Sequence, residues 1–214
     1  MKKNVLILLA IWIAWPVMAQ EQEQEYYHHP QEIRTIFGDH PGNGGYGAIS
    51  LGYTQVDGRN GVMMGGRGVW IIGHGLGMGL GGYGFVNDPE FNVTDNLYYS
   101  LAGGYGGFIF EPILLGRWPV HVSLPVLLGA GGVALTSYSE DIYNQLEPYD
   151  TYFEESSAFL VAEPGVELEM NLVRFIRLSF FGSYRFTTDL VMQNTNPRAL
   201  KGWSTGVTIK IGSF

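Results

Sequence analysis

From Gly44 to Phe214 the sequence alternates, segment after segment, between a large apolar side chain and a small or polar one. Leu160, Ala162, Pro164, Val166, Leu168, Met170 and Leu172 share one parity, and Glu163, Gly165, Glu167, Glu169 and Asn171 share the other. Further on, Ile176, Leu178, Phe180, Tyr184 and Phe186 alternate with Arg177, Ser179, Ser183 and Arg185. Trp203, Val207, Ile209 and Ile211 alternate in the same way with Ser204, Gly206, Thr208 and Lys210. Successive side chains of a β-strand point to opposite faces, so each segment makes a strand with one wide apolar face and one small, polar face. Helix is disfavoured throughout, because β-branched and aromatic residues mixed with repeated glycine are poor helix formers.

Eight such segments are expected, at 45–56, 62–72, 76–86, 97–110, 119–135, 157–171, 175–187 and 203–213. Their connections alternate in length. Gly73–Gly75, Leu115–Trp118 and Leu172–Arg174 are tight, whereas Asn87–Asn96, Thr136–Ser156 and Asp189–Gly202 are long, with the shorter Asp57–Gly61 on the long side. Short turns at one end and longer loops at the other are the mark of an outer-membrane barrel. An even strand number leaves both chain ends on the short-turn side. Residues 97–110 break the parity: Leu97, Tyr99 and Leu101 suggest odd residues outward, and Phe108 and Phe110 the opposite. A bulge among Gly103, Gly104, Gly106 and Gly107 would reconcile the two.

Residues 1–19 read as a cleaved export signal: Lys2 and Lys3, the apolar run Val5–Trp15, then Val17-Met18-Ala19. The run is too short for a spanning helix. Residues 20–43, acidic and containing His28, His29 and Pro30, read as a flexible periplasmic leader. Residues 44–214 are the barrel. Cleavage leaves 10 basic and 20 acidic side chains, which argues against a nucleic-acid partner. The absence of cysteine excludes disulfides, Cys-ligated metal and a thiol nucleophile.

A soluble exported barrel of lipocalin type, binding an apolar ligand, would alternate too, with its polarity reversed. Its exterior would need dense Lys, Glu and Asp. Here charged residues make up only 15% of the chain, against about 25% for an average soluble domain. The polar face is mostly Gly and Ser, as in Gly77, Gly79 and Gly81 between Leu76, Met78 and Leu80. Small residues suit the lumen of an eight-stranded barrel, which side chains just fill. The fold expected is an all-β, eight-stranded, antiparallel up-and-down transmembrane barrel.

With these features the chain resembles the small outer-membrane barrels of Gram-negative bacteria, similar in architecture to the OmpA membrane domain. More narrowly it resembles a barrel family of Bacteroidota, on the stretches Ile33–Gly38, Asn43–Ala48 and Pro119–Gly129. The resemblance implies residence in the cell outer membrane, among its lipid and lipopolysaccharide. Phe214 is similar to the terminal aromatic of that family, although Thr208 and Lys210 occupy alternate positions where the family pattern is apolar.

Charged residues on the small-residue face predict an interior ion-pair network of Arg67, Glu163, Glu167, Glu169, Arg177, Arg185 and Lys210. A turn centred on Val173 would set Glu169 opposite Arg177 and Glu163 diagonal to Arg185. Buried charges need partners, and basic neighbours would keep these glutamates ionised rather than arm one as an acid. Glu111 and His121 are expected to pair across the Leu115–Trp118 turn. His121-Val122-Ser123 is similar to the His-x-Ser arrangement of outer-membrane lipid A deacylases. It follows a tight turn, however, at the end away from the outer leaflet, and its parity points into the lumen.

The segment Thr136–Ser156 carries Glu140, Asp141, Glu147, Asp150, Glu154 and Glu155 with Tyr143, Tyr149 and Tyr152, and no base. Tyrosines among short polar residues suit protein contacts, so this is the candidate surface for an extracellular protein partner. It lacks calcium-loop spacing. Trp70, Trp118 and Trp203 are placed in interfacial girdles. The function expected is therefore a non-enzymatic outer-membrane barrel with acidic loops, a structural or surface-interaction protein without cofactor or metal. The alternatives are a lipid A-modifying enzyme and the soluble barrel.

Overall fold

The computed structural model describes residues 43–73, 75–94, 96–116, 118–139 and 152–214. The expected signal peptide and the leader up to residue 42 lie outside the described residues, as do Glu140, Asp141, Tyr143, Glu147, Tyr149 and Asp150. The strands are β1 (Gly44–Val56), β2 (Arg59–Ile72), β3 (Leu76–Asn87), β4 (Glu90–Asn92), β5 (Leu97–Leu114), β6 (Val120–Ser123), β7 (Val126–Ser139), β8 (Tyr152–Val173), β9 (Ile176–Thr187) and β10 (Gly202–Ser213).

Every pairing is antiparallel, and the ladder runs β1–β2–β3–β5–β7–β8–β9–β10 and back to β1. This closes a ring. β6 and β7 form one stave, interrupted at Leu124-Pro125, because proline has no N–H to give the ladder. The register continues across the break, since β6 and β7 keep one offset against β8. β4 is a short flap on the loop end of β5. The described residues therefore form a closed eight-stave barrel, as expected.

Several boundaries differ from the sequence reading. Asp57 and Gly58 alone connect β1 and β2, both at positive φ (54° and 71°). This is the mirror-image hairpin turn for which an Asp-Gly pair is suited, in place of the loop expected at Asp57–Gly61. β8 starts at Tyr152, so Tyr152, Glu154 and Glu155 are strand residues rather than loop. β5 contains no bulge. Its registers with β3 and β7 run unbroken through Gly103–Gly107, and Leu101, Tyr105, Ile109, Glu111 and Ile113 are all buried. The expected outward placement of Leu101 is thus reversed.

The barrel interior has two zones. At the loop end it is apolar: Val56, Leu101, Val133, Leu135, Phe159 and Val161 pack with Leu190, Ala199 and Leu200 from the β9–β10 connection. That connection folds into the barrel mouth, anchored by Asp57 N–H donating to the Ala199 carbonyl at 2.6 Å. At the turn end the interior is ionic. Between the zones, Tyr105 packs with Tyr83, Phe85 and Phe159, ring centroids 5.7–6.4 Å apart. Gly131 makes room for them, because a Cβ there would fall 2.6 Å from Tyr105 and 2.7 Å from Phe159.

The exterior is the reverse. Ile49, Met64, Leu80, Phe108, Leu128, Leu160, Phe180 and Ile209, one from each stave, all point outward and are exposed. Trp70, Trp118 and Trp203 also point outward, each more than 60% exposed.

Candidate functional site: an ion cluster sealed inside the barrel

The turn-end interior is built from side chains on seven staves. Outward residues on these strands are apolar, so strand alternation carries their charged neighbours inward. Lys210 sits at the centre. Its Nζ lies 2.8 Å from Glu111 Oε1, 2.9 Å from Glu167 Oε2 and 2.7 Å from Glu169 Oε1, and both Lys210 and Glu169 are fully buried. Arg67 Nη2 is 2.6 Å from Glu167 Oε2 and 4.0 Å from Glu111. Arg177 Nη1 is 3.5 Å from Glu169 Oε2. Three carboxylates thus face three fixed cations, and the charge balances without drawing on His121.

Register explains the convergence. Ala48 of β1 pairs with Arg67 on one side and Lys210 on the other, and its small side chain leaves both cations room to reach the carboxylates. Arg177 and Lys210 are directly paired, as are His121 and Glu169. Tyr46 donates its hydroxyl to Glu111. Phe214 closes the turn end: its ring lies 3.8 Å from the Arg177 guanidinium and stacks on Tyr46. The phase of Phe214 against Thr208 and Lys210 follows from this, because all three lie on the lumen side of β10.

Five expected network residues, Arg67, Glu167, Glu169, Arg177 and Lys210, come together, and Glu111 and His121 join them. Glu163 and Arg185 stand apart. Glu163 is held by hydroxyls, with Ser183 Oγ donating at 2.6 Å and Tyr105 at 2.5 Å. Arg185 donates to the Leu200 and Gln55 carbonyls and to Thr54 Oγ1, tying the β9–β10 connection to β1.

The expected register of Glu169 opposite Arg177 is corrected. Glu169 pairs with Ser179, and Arg177 with Asn171. The turn lies at Arg174-Phe175, later than Val173, and an irregularity between Asn171 and Val173 absorbs the shift. Glu169 and Arg177 meet only diagonally. The expected Glu111–His121 pair is also replaced: His121 Nε2 lies 3.2 Å from Glu169, while Glu111 turns to Lys210 and Tyr46. Sequence reasoning missed Tyr46 and Phe214, whose lumen parity was the available signal.

A catalytic reading of Ser123 requires its hydroxyl to donate to an imidazole. It donates instead to Glu169 Oε1 at 2.5 Å. His121 Nε2 lies 3.2 Å from the other oxygen of that carboxylate and 3.3 Å from Arg177 Nη1, and its Nδ1 lies 3.2 Å from the Trp118 carbonyl oxygen. The carboxylate stands between serine and histidine, the wrong order for a base-activated nucleophile. Ser123, His121 and Glu169 are at most 2% exposed. Glu111, Glu167 and Glu169 have carboxylate oxygens close enough to hold a metal ion. Lys210 Nζ already fills the space among them, doing with an ammonium what a cation would do.

Comparison of the sequence with protein-family models and with curated proteins finds no match. Solved structures do match. Neisserial surface protein A aligns with a TM-score of 0.52 at 9% identity, over 79% of this chain and 96% of that one. The fold is that of a small eight-stranded outer-membrane barrel. The attachment invasion locus protein Ail of Yersinia pestis aligns at 0.42 and 14% identity, over 79% and 98% of the two chains. The N-terminal barrel domain of Pseudomonas aeruginosa OprF aligns at 0.42 and 8%, over 78% and 96%.

Proposed function

We propose that this chain is a non-enzymatic integral protein of the outer membrane, serving the structure of the envelope and presenting its loop end for surface interaction. The observation carrying this reading is the inverted polarity of a closed wall. Each stave exposes large apolar side chains, whereas Arg67, Glu111, Glu167, Glu169, Arg177 and Lys210 are buried. Soluble proteins rarely expose apolar patches beyond a few hundred Å²; a band around a whole barrel suits hydrocarbon. A closed barrel leaves no backbone donor or acceptor unpaired in lipid. The tryptophans fall where interfacial girdles belong.

The alternatives fare worse. A lipocalin-like carrier needs an apolar lumen and a charged exterior. A lipid A hydrolase working through His121 and Ser123 would need them accessible and in the opposite hydrogen-bonding order. A pore is disfavoured, since side chains fill the lumen.

Fractionation tests the reading. The protein should remain in the membrane pellet after high-salt and carbonate washes, dissolve in detergent, and migrate faster on gels unboiled than boiled. Release by salt alone, or migration insensitive to heating, contradicts it. Lipid A mass spectra should be identical with and without the gene; a changed acyl pattern would favour the enzyme.

A further inference from the structure

The loop end carries a second concave feature, a cup of about 730 Å³ that the ion cluster does not touch. Its floor includes Leu101 and Leu135, its wall Phe91, and its rim Asp57, Arg59, Glu90, Glu154, Asn194 and Thr195. These residues come from the β1–β2 turn, β2, β4, β5, β7, β8 and the β9–β10 connection. We propose that this cup is a binding site for an uncharged saccharide.

The first argument is the mix of groups. A sugar hydroxyl both donates and accepts, so its site needs donors and acceptors side by side. Arg59 and Asn194 give donors; Asp57, Glu90 and Glu154 give acceptors. A metal ion or a bare ammonium would use the acceptors alone and leave the amide and guanidinium donors without a role. Three carboxylates against one guanidinium also repel sulfated, phosphorylated or uronic sugars. The exposed Phe91 ring suits the C–H face of a pyranose, in keeping with sites that combine apolar lining and a few oriented polar groups.

The second argument is rigidity. Arg59 Nη1 donates to the Asp88 and Tyr99 carbonyls at 3.2 and 3.1 Å and lies 3.5 Å from Glu90. Ser137 Oγ donates to Glu154 at 2.7 Å, and Asn194 Nδ2 donates to Glu155 at 2.9 Å. Phe91 packs on Tyr98, centroids 4.9 Å apart. A site already held in place loses little freedom when a ligand enters.

The inference rests on the reading of the loop end as the exposed end of a membrane barrel, and heat-modifiable migration of the same preparation checks that reading separately. The test is calorimetric titration of the detergent-folded barrel with lactose, N-acetyllactosamine, N,N′-diacetylchitobiose, a trisulfated heparin disaccharide and a lysine-rich peptide. At least one of the three uncharged disaccharides should bind below millimolar, and the sulfated one should not. Glu154→Gln and Asn194→Ala should each weaken binding about tenfold, the order of one lost hydrogen bond, with migration unchanged. The proposal is overturned if none of the three binds, if the sulfated sugar binds as well, if the peptide binds in their place, or if both variants bind like the parent.

Discussion

Lys210 shows how a single side chain sets the chemistry of its surroundings. Its ammonium contacts three carboxylates at 2.7–2.9 Å, so Lys210→Met would leave three buried negative charges facing only Arg67 and Arg177. Breaking a buried pair from one side costs roughly 3–5 kcal/mol. Urea unfolding of the refolded barrel should show a loss of that size for Lys210→Met. The loss for Arg177→Ala should be smaller, because Arg177 meets Glu169 only diagonally, at 3.5 Å. Equal losses would mean Lys210 is not the hub. A double-mutant cycle of Lys210→Met with Glu111→Gln should give a loss well short of the sum of the single losses; strict additivity would mean the two side chains do not interact. Which residues would enter the cluster was legible from strand parity. Their partners were not, since Lys210 meets Glu111 from a stave remote in sequence, and only closure of the ring brings them together.

Among the elements, the β9–β10 connection behaves unlike an ordinary surface loop. Leu190, Ala199 and Leu200 are buried in the barrel mouth, and Lys201 Nζ donates to Asp189 Oδ1 at 2.8 Å. Leu200→Ala should cost about 2–5 kcal/mol, the usual range for a buried leucine; a cost below about 0.5 kcal/mol, as for an exposed site, would place the connection in solvent. The hydrogen bond from Lys201 holds the Asp189 carboxyl below its ordinary value. Its contribution is therefore present above the ordinary carboxylate range and lost as pH falls through the lowered value. Proteolysis within 188–201 should accelerate on acidification in the parent and change less in Asp189→Asn; the same pH response in both would dismiss the pair.

Strand positions were legible because a wall with an exposed apolar face on one side and a packed lumen on the other imposes a period of two. The phase of β5 was not, because its upper lumen is apolar: Leu101 faces inward onto Val133 and Leu135, so both faces of that stretch look alike. The β8–β9 offset was hidden by an irregularity near Leu172 that no turn residue announces.

At the scale of the whole molecule, the architecture is a soluble protein turned inside out, with its ions in the centre and its apolar surface outside. Closure by β1 and β10 removes the sheet edge that would otherwise invite aggregation. The ionic zone, capped by Phe214, seals the turn end, while the loop end stays apolar inside and polar at its rim. With residues 1–19 removed, Trp70, Trp118 and Trp203 are the remaining tryptophans, and each faces outward. Fluorescence of that chain, refolded into bilayers of brominated phosphatidylcholine, therefore reports directly on what the outer face touches. Emission should be blue-shifted and strongly quenched relative to unbrominated bilayers; emission equal in the two lipids would contradict the account.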